Sequence, residues 1–346
     1  FFCTSWKDFY EQMLQEGDNP CDSWYEKVSD VRSDFAQYIN ANPDEVAFTT
    51  NTSSGMNIVA QMLKNQILQT GDQVLVMDDE FPSSTYPFLH AGIPLTFVPS
   101  VNDTYPIDHI AQYVTSKTKV IVSSYVQYGT GFRQNLQALG KFCKKHNILF
   151  VVNATQGLLA FPIDTQQMYI DMLVSTGLKW TCSGYGIGIL FISSDLLDQY
   201  VLPICGWKSV VDPSAMDNKN MPIRKTASVI EVGCPNFAPI FVFGASVRMF
   251  ATLGQKQVTE HILSLTKYLF DQLVKNGFSI LSTHDSRSRS GITIVACKDL
   301  KIVIEKLALE NIIVSARGKG LRISINLYNN KEDIDHCVSA LCHICL

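Results

Sequence analysis

Three short apolar runs, each followed by polar residues, impose the strongest constraint on how this chain can fold. They occupy residues 149–152, 172–174 and 188–192, and turn residues separate them. Short continuous apolar runs of this kind are typical of strands that are buried on both faces. Lys179 follows the second run in a glycine-rich segment, between Gly177 and Gly184. Ligands bind beyond the carboxyl ends of strands in an open parallel sheet, so this position suits a reactive lysine, although a lone lysine in a glycine-rich loop is usually just solvated.

The preceding part of the chain alternates apolar runs with helical patterns. Strands are predicted at residues 46–49, 74–77, 95–98 and 120–123, and helices at residues 107–116 and 135–146. Strands that alternate with helices indicate a parallel sheet with right-handed crossovers. The sequence therefore predicts an α/β fold with a mostly parallel sheet and helices on both faces.

The chain is long enough for two domains. It has 346 residues, and a single hydrophobic core seldom grows that large. From residue 238 the pattern changes to helices near 240–253, 256–275 and 299–309, with strands at 292–296, 312–315 and 321–325. We expect a large domain over residues 21–237 and a smaller α+β domain over residues 238–346, with residues 1–20 packing on the smaller one.

The composition limits which binding partners and which cellular compartment are expected. The net charge is −4 and no run of Lys or Arg occurs, which argues against nucleic acid as a partner, and no apolar run reaches membrane-spanning length. The ten cysteines are scattered and lie mostly in apolar runs, which predicts reduced thiols in a cytoplasmic protein. Cys337, Cys342 and Cys345 lie in a helical pattern that lacks a fourth ligand, so no metal site is predicted.

A segment rich in hydroxyl groups follows the first predicted strand. Thr52 and Ser53 precede Gly55 and the start of a predicted helix. Free backbone N–H groups and the helix dipole attract anions at such a helix start, and the hydroxyl groups add donors. The segment predicts either a phosphate site or a plain N-cap, since Ser and Thr favour that position anyway.

The motifs VVNATQG, STGLKW and GYGIGILF resemble the class V aminotransferase and cysteine desulfurase family of enzymes that use pyridoxal phosphate (PLP). Lys179 matches the lysine that carries the cofactor as a Schiff base in that family, and Gln156 matches its glutamine. Asn153 stands where the family has an aspartate. Thr176, just before STGLKW's glycine, is expected among the cofactor-binding residues.

Four further segments carry the same resemblance, which extends over most of the chain. Phe81 stands where the family stacks a ring on the cofactor, and Arg322 stands at its carboxylate-binding arginine. Gln127 lies in a loop that resembles one facing cofactor or substrate, although a loop hydrogen bond without a ligand is equally compatible. In VIEVGCPNF, Cys234 replaces the threonine that reaches the partner subunit's cofactor phosphate in relatives, and a thiol donates a hydrogen bond more weakly than a hydroxyl.

The resemblance implies the three-layer fold of PLP-dependent transferases, PLP as the cofactor, and a homodimer. It also implies that an amino acid, and in transamination a 2-oxo acid, is the substrate, with Lys179 moving the proton at Cα as general base and acid. Relatives usually begin with a short strand that carries a substrate-facing motif rich in asparagine, and the sequence from Phe1 onward does not contain this motif.

Two hypotheses follow from these matches and departures. The first is an enzyme, foremost an aminotransferase, with an epimerase, lyase or desulfurase-like activity as the alternative. The second is a binding or regulatory protein with weakened chemistry, because Asn153 makes a poorer partner for a protonated ring nitrogen and Cys234 a poorer phosphate donor. Persulfide transfer is disfavoured because residues 316–321 contain no cysteine, which leaves Cys205 and Cys234 as remote nucleophiles.

Overall fold

The computed structural model describes residues 2–345, so Phe1 and Leu346, the outer ends of the predicted domains, lie outside the described residues. The helices are α1 (Phe2–Glu16), α2 (Cys21–Tyr38), α3 (Thr52–Met62), α4 (Tyr86–His90), α5 (Ile107–Ala111), α6 (Leu136–Lys145), α7 (Ser194–Gln199), α8 (Phe237–Leu253), α9 (Gln255–Lys275), α10 (Leu300–Leu309) and α11 (Lys331–Cys345). The strands are β1 (Val46–Thr49), β2 (Gln73–Met77), β3 (Leu95–Val98), β4 (Thr118–Ser124), β5 (Leu149–Asn153), β6 (Met172–Thr176), β7 (Gly188–Ile192), β8 (Ile292–Val295), β9 (Ser315–Arg317) and β10 (Gly320–Ser324).

Within the described residues, the larger sheet has seven strands in the order β1–β7–β6–β5–β4–β2–β3. Strands β2, β3, β4, β5 and β6 all pair in parallel with their neighbours among these five, whereas β7 runs antiparallel to both β1 and β6. The predicted mostly parallel α/β sheet is confirmed.

Both faces of this sheet are covered by apolar side chains. Leu75 and Met77 pack into one hydrophobic cluster, whereas Val74 and Val76 of the same strand pack into another. Successive side chains of a strand point to opposite faces, so this alternation shows that the sheet lies between two layers. The apolar runs of the sequence are continuous because neither face meets solvent.

The C-terminal part contains a smaller antiparallel sheet in the order β8–β10–β9, with a hydrophobic cluster of its own against α9, α10 and α11. Helix α8 packs against α1 and α2. Helix α8 begins at the proposed domain boundary but packs against helices from the start of the chain. The division of the chain at residue 238 therefore stays a prediction.

Two elements differ from the predictions made above. The predicted helix 107–116 ends at Ala111. The strand predicted at residues 312–315 instead occupies Ser315–Arg317, where Arg317 pairs with Gly320 and Ser315 pairs with Arg322. The tight turn at Gly318, with φ of 55°, sets this register, and a turn conformation is not visible in hydrophobic periodicity.

The cysteines from Cys21 onward are free thiols, and the cytoplasmic location inferred from their pattern stays a prediction. Among the described helices, none is by itself both long and apolar enough to cross a membrane; α8 and α9 pass that test only as a pair bent by 83°.

Candidate active site

A cavity of about 320 Å³ opens beyond the carboxyl ends of β5 and β6, where the sequence places its polar residues. It brings together most of the predicted site residues: Thr52, Ser53, Phe81, Asn153, Gln156, Thr176, Lys179 and Arg322. It is also lined by residues that the sequence analysis did not single out, among them Ser83, Ser124, Thr155 and Arg317. Thr155 could have been found, because it lies just after the buried strand β5, whose last residue is Asn153.

Lys179 lies in a tight turn that follows β6. The amide of Ser183 and the hydroxyl of Thr181 both donate to the carbonyl of Gly177, each at 2.7 Å, which closes the turn. Burial lowers the pKa of the Lys179 amine below its usual value near 10.5, and the positive charges of Arg322 and Arg317 lower it further. A larger fraction of the amine is therefore neutral and nucleophilic than in a solvated lysine.

Hydroxyl groups gather where α3 begins. The side chain of Asn51 caps this helix by accepting from the amide of Ser54 at 3.0 Å. Thr52 shares a hydrogen bond of 2.8 Å with Thr155, and Ser53 shares one of 2.9 Å with Ser83. These hydroxyl groups and the N-terminal end of α3 provide the donors that a phosphate group requires.

The amide of Asn153 has a defined orientation. Its Nδ2 donates to Ser84 Oγ at 2.8 Å, and its Oδ1 accepts from the amide of Thr155 at 3.1 Å. Nδ2 has a second N–H without a partner among the described residues, and this N–H is a donor available to a ligand. Asn153 therefore offers the cavity a neutral donor where an aspartate would offer a charged acceptor.

A buried carboxylate, Glu80, lies behind this amide and was missed by the sequence analysis. It accepts the amide of Ser124 at 2.5 Å, the hydroxyl of Ser124 at 2.5 Å and Nε2 of Gln127 at 2.9 Å. Burial raises the pKa of the Glu80 carboxyl, and hydrogen bonds from Ser124, Gln127 and Ser84 act in the opposite direction. Ser84 thus connects Glu80 to Asn153.

Two predicted residues lie outside the cavity. Gln127 is buried, and its Nε2 donates a hydrogen bond to the carboxyl group of Glu80. Cys234 is exposed and lines a different cavity of about 260 Å³, together with Thr49, Thr50 and Glu231. Within one chain, neither residue joins the other predicted site residues.

Aromatic side chains form one wall of the cavity. The rings of Phe81 and Tyr128 pack edge to face with centroids 5.2 Å apart, and Phe81 is 47% exposed. Because Phe81 lines the cavity with much of its ring uncovered, it can stack on a flat aromatic ligand. Gln156 is held beside the cavity by accepting from Trp180 Nε1 at 2.9 Å.

Arg322 lies on β10 and is partly buried. Its Nη1 donates to the carbonyl of Tyr128 at 3.2 Å, and its buried Nε has no acceptor among the described residues. Burial lowers the pKa of the guanidinium, but an arginine stays charged in a protein. An anionic group in the cavity would satisfy the donor that the protein leaves open.

These donors fit PLP. An amine of lowered pKa can hold an aldehyde carbon, hydroxyl groups at a helix start can hold a phosphate, and an open aromatic ring can cover a pyridine ring. The arrangement supplies each of these groups from a different element of the same fold.

Comparison with known proteins agrees with this fit. The family model described as Aminotransferase class-V matches residues 5–337. An uncharacterized aminotransferase of Schizosaccharomyces pombe is 28% identical, covering 93% of this chain and 83% of that protein.

Solved structures share the fold. The apo structure of a cysteine desulfurase from Thermococcus onnurineus NA1 superposes with a TM-score of 0.91 at 19% identity, covering 99% of this chain and 91% of that chain. A structure of C-DES with glycine covalently linked to the PLP cofactor gives a TM-score of 0.90 at 18% identity, covering 99% and 92%. The chain belongs to the class V aminotransferase family, and its cofactor is pyridoxal phosphate.

Proposed function

We propose that this protein is an aminotransferase that acts at the Cα of an amino acid. The observation that carries the proposal is that the amine of Lys179 and the guanidinium of Arg322 line one cavity. An α-amino acid needs both groups, because its amino group must exchange with an enzyme amine and its carboxylate must be oriented. The planar fork of an arginine binds a carboxylate through two parallel hydrogen bonds.

The residues that hold the cofactor follow from the donors described above. Thr52, Ser53 and the N-terminal end of α3 bind the phosphate, and Lys179 anchors the opposite functional group. Phe81 covers one face of the ring. Asn153, Gln156 and Thr176 fix its edge, with Asn153 donating its remaining N–H.

The chemistry divides between cofactor and protein. The cofactor supplies the electron sink for the charge left on Cα when a bond there breaks. The substrate's amino group would displace the Lys179 amine from the cofactor. The freed amine would then remove the proton from Cα and return it at a neighbouring atom. Arg322 holds the carboxylate so that the Cα–H bond faces that amine, which is the orientation that a proton transfer requires.

A half-reaction experiment tests this proposal. Purified protein loaded with PLP is mixed with single amino acids, without a 2-oxo acid, and the visible absorbance of the cofactor is followed. An aminotransferase converts the cofactor to its amine form and releases one 2-oxo acid for each site. A spectrum that no amino acid changes would reject the proposal and favour a binding or regulatory protein.

Desulfurase-like or other lyase chemistry is the second candidate. It is supported by the fold shared with the cysteine desulfurase of Thermococcus onnurineus NA1 described above. Against sulfur transfer, none of the described residues that line the cavity is a cysteine. With cysteine as substrate, release of sulfide or persulfide without formation of the cofactor's amine form would favour this candidate.

We also propose a homodimer in which residues 231–236 lie at the interface. Glu231 fixes this segment to the sheet, because both of its oxygens accept from Arg32, at 2.6 and 2.8 Å, and one accepts from the amide of Phe48 at 2.8 Å. Val232 and Trp207 leave apolar surface exposed nearby. Closed twofold dimers are the commonest oligomers. Sedimentation as a monomer at micromolar concentration with cofactor bound would contradict this arrangement.

A further inference from the structure

A short hairpin brings a second arginine to the cavity. Strands β9 and β10 are joined by Gly318 and Lys319, and Arg317 is the last residue before that turn. Arg317 lines the cavity together with Arg322, although the two residues lie on different strands. The function proposed above uses only Arg322.

The hairpin is held against the larger sheet by contacts on both sides of the turn. Gly318 lies so close to the loop after β4 that a Cβ at this position would be 2.5 Å from the carbonyl oxygen of Gly129. Lys319 Nζ lies 2.9 Å from Asp103 Oδ1. Because backbone contact and an ion pair fix the turn, Arg317 is kept beside the cavity.

The charges around the cavity are unbalanced. Lys179, Arg317 and Arg322 line it, and no Asp or Glu is among the described residues that do so. Within the part of the chain that the structure describes, Arg317 has no carboxylate partner, and its Nη1 donates only to the carbonyl of Ala316, at 2.7 Å. Other arginines do have carboxylate partners: Arg32 with Glu231, Arg248 with Asp34 and Arg287 with Asp285.

We propose that Arg317 binds an anionic group on the substrate's side chain, so that the substrate is an amino acid with an acidic side chain. The inference rests on the proposed function, in which Arg322 takes the α-carboxylate and leaves Arg317 for a second anion. Carboxylates and sulfinates share the chemistry that a guanidinium recognises. Because Arg317 is exposed, its contribution is modest and salt-sensitive.

Matched pairs of ligands test this inference. Binding to the PLP-loaded protein is measured by titrating the cofactor absorbance with aspartate against asparagine and with glutamate against glutamine, and cysteine sulfinate separates sulfinate from carboxylate recognition. We expect the acidic member of one pair to bind about three- to fivefold more tightly, as an ion pair with an exposed arginine allows. The preference should shrink as the salt concentration is raised.

Variants assign the preference to one side chain. Arg317→Gln should remove most of it and weaken binding of alanine much less than binding of the acidic amino acid, whereas Arg317→Lys should keep part of the preference because the charge remains. Arg287→Gln is the matched control, because it makes the same change in an exposed arginine that does not line the cavity.

Two results would overturn the inference while the proposed function stands. One is equal binding of acidic and neutral amino acids by the wild-type protein, with normal half-reactions. The other is an Arg317→Gln variant that keeps the preference or loses alanine binding equally. If no amino acid changes the spectrum at all, the proposed function itself fails, and the inference fails with it.

Discussion

The two sides of the cavity are built in opposite ways. On the side of Asn153 most of the side-chain polar atoms are paired within the protein, Asn153 with Ser84 and Thr155, and Glu80 with Ser124 and Gln127, while Gln127 Oε1 is buried without a partner among the described residues. On the side of Arg322 and Arg317, positive groups face the cavity without a counter-charge. The first side is organised before any ligand binds, and the second is completed only by one.

This difference separates stability from binding. A buried hydrogen-bond network that is mostly paired contributes to folding, and removing a member leaves its partners unsatisfied. Unpaired cations at a cavity contribute little to folding, because their partner arrives with the ligand. Substitutions on the first side should therefore destabilise the protein without ligand, and those on the second should weaken substrate binding alone.

The largest expected effect is on the first side. Glu80→Ala leaves the amide and hydroxyl of Ser124 and the amide of Gln127 without their acceptor, and each buried unsatisfied group costs about 1–3 kcal/mol. We expect the free energy of unfolding of the apo-protein to fall by about 3 kcal/mol or more in urea titrations. Glu305→Ala, at an exposed position of α10, should change it by less than about 0.5 kcal/mol. Equal effects of the two substitutions would contradict the network.

The next effect is on the second side. Arg322→Lys keeps the charge but loses the planar fork, so amino-acid binding should weaken about tenfold or more, a loss of about 1.5–3 kcal/mol. Cofactor affinity and unfolding free energy should hardly change, since the ligand provides the missing partner. Titration with amino acids and with PLP separates the two. A parallel loss of cofactor would make Arg322 structural.

A substitution at Asn153 probes the point where the paired network meets the ligand. Asn153→Asp supplies the carboxylate that stabilises a positive ring nitrogen, and we expect Cα–hydrogen exchange of an amino acid to rise about tenfold, or about 1.4 kcal/mol in barrier. Slower exchange in Asn153→Asp at unchanged cofactor occupancy would show that the amide is an adaptation.

The smallest effect is the pH dependence of Lys179. Burial and the two arginines lower its pKa, so the rate at which the apo-protein captures PLP should rise with pH and level off below the usual lysine value near 10.5. Arg322→Gln removes one positive charge and should shift that midpoint upward. Between the native and unfolded pKa values the unfolded chain binds more protons, so stability rises with pH across this window. A midpoint at or above 10.5 would contradict the environment described for Lys179.

The sequence predicted the larger sheet and Lys179 because buried strands and the residues just after them leave a local pattern. Glu80 was missed because Asp78, Asp79 and Glu80 resemble a solvated acidic loop, and only the fold buries the last of them. Gln127 lies just after a strand, as several cavity residues do, but its side chain donates a hydrogen bond to Glu80 and does not line the cavity.

The position of Arg317 beside the cavity depends on a strand register that hydrophobic periodicity does not encode. The turn at Gly318 closes only because its backbone adopts a positive φ against Gly129, and this moves the strand to Ser315–Arg317. Cys234 lies in a separate cavity, so its predicted contact with a cofactor needs a second chain, which one sequence cannot provide.

We propose that Lys179 carries the cofactor in the cavity that it shares with Arg322. The direct measurement is borohydride reduction of the PLP-loaded protein, followed by peptide mass spectrometry, on the wild type and on Lys179→Ala. We expect a modified peptide at Lys179 in the wild type and none in the variant, with Lys208→Ala as a control that keeps the modification. Modification of another lysine in the wild type, or an unchanged yield in Lys179→Ala, would contradict it.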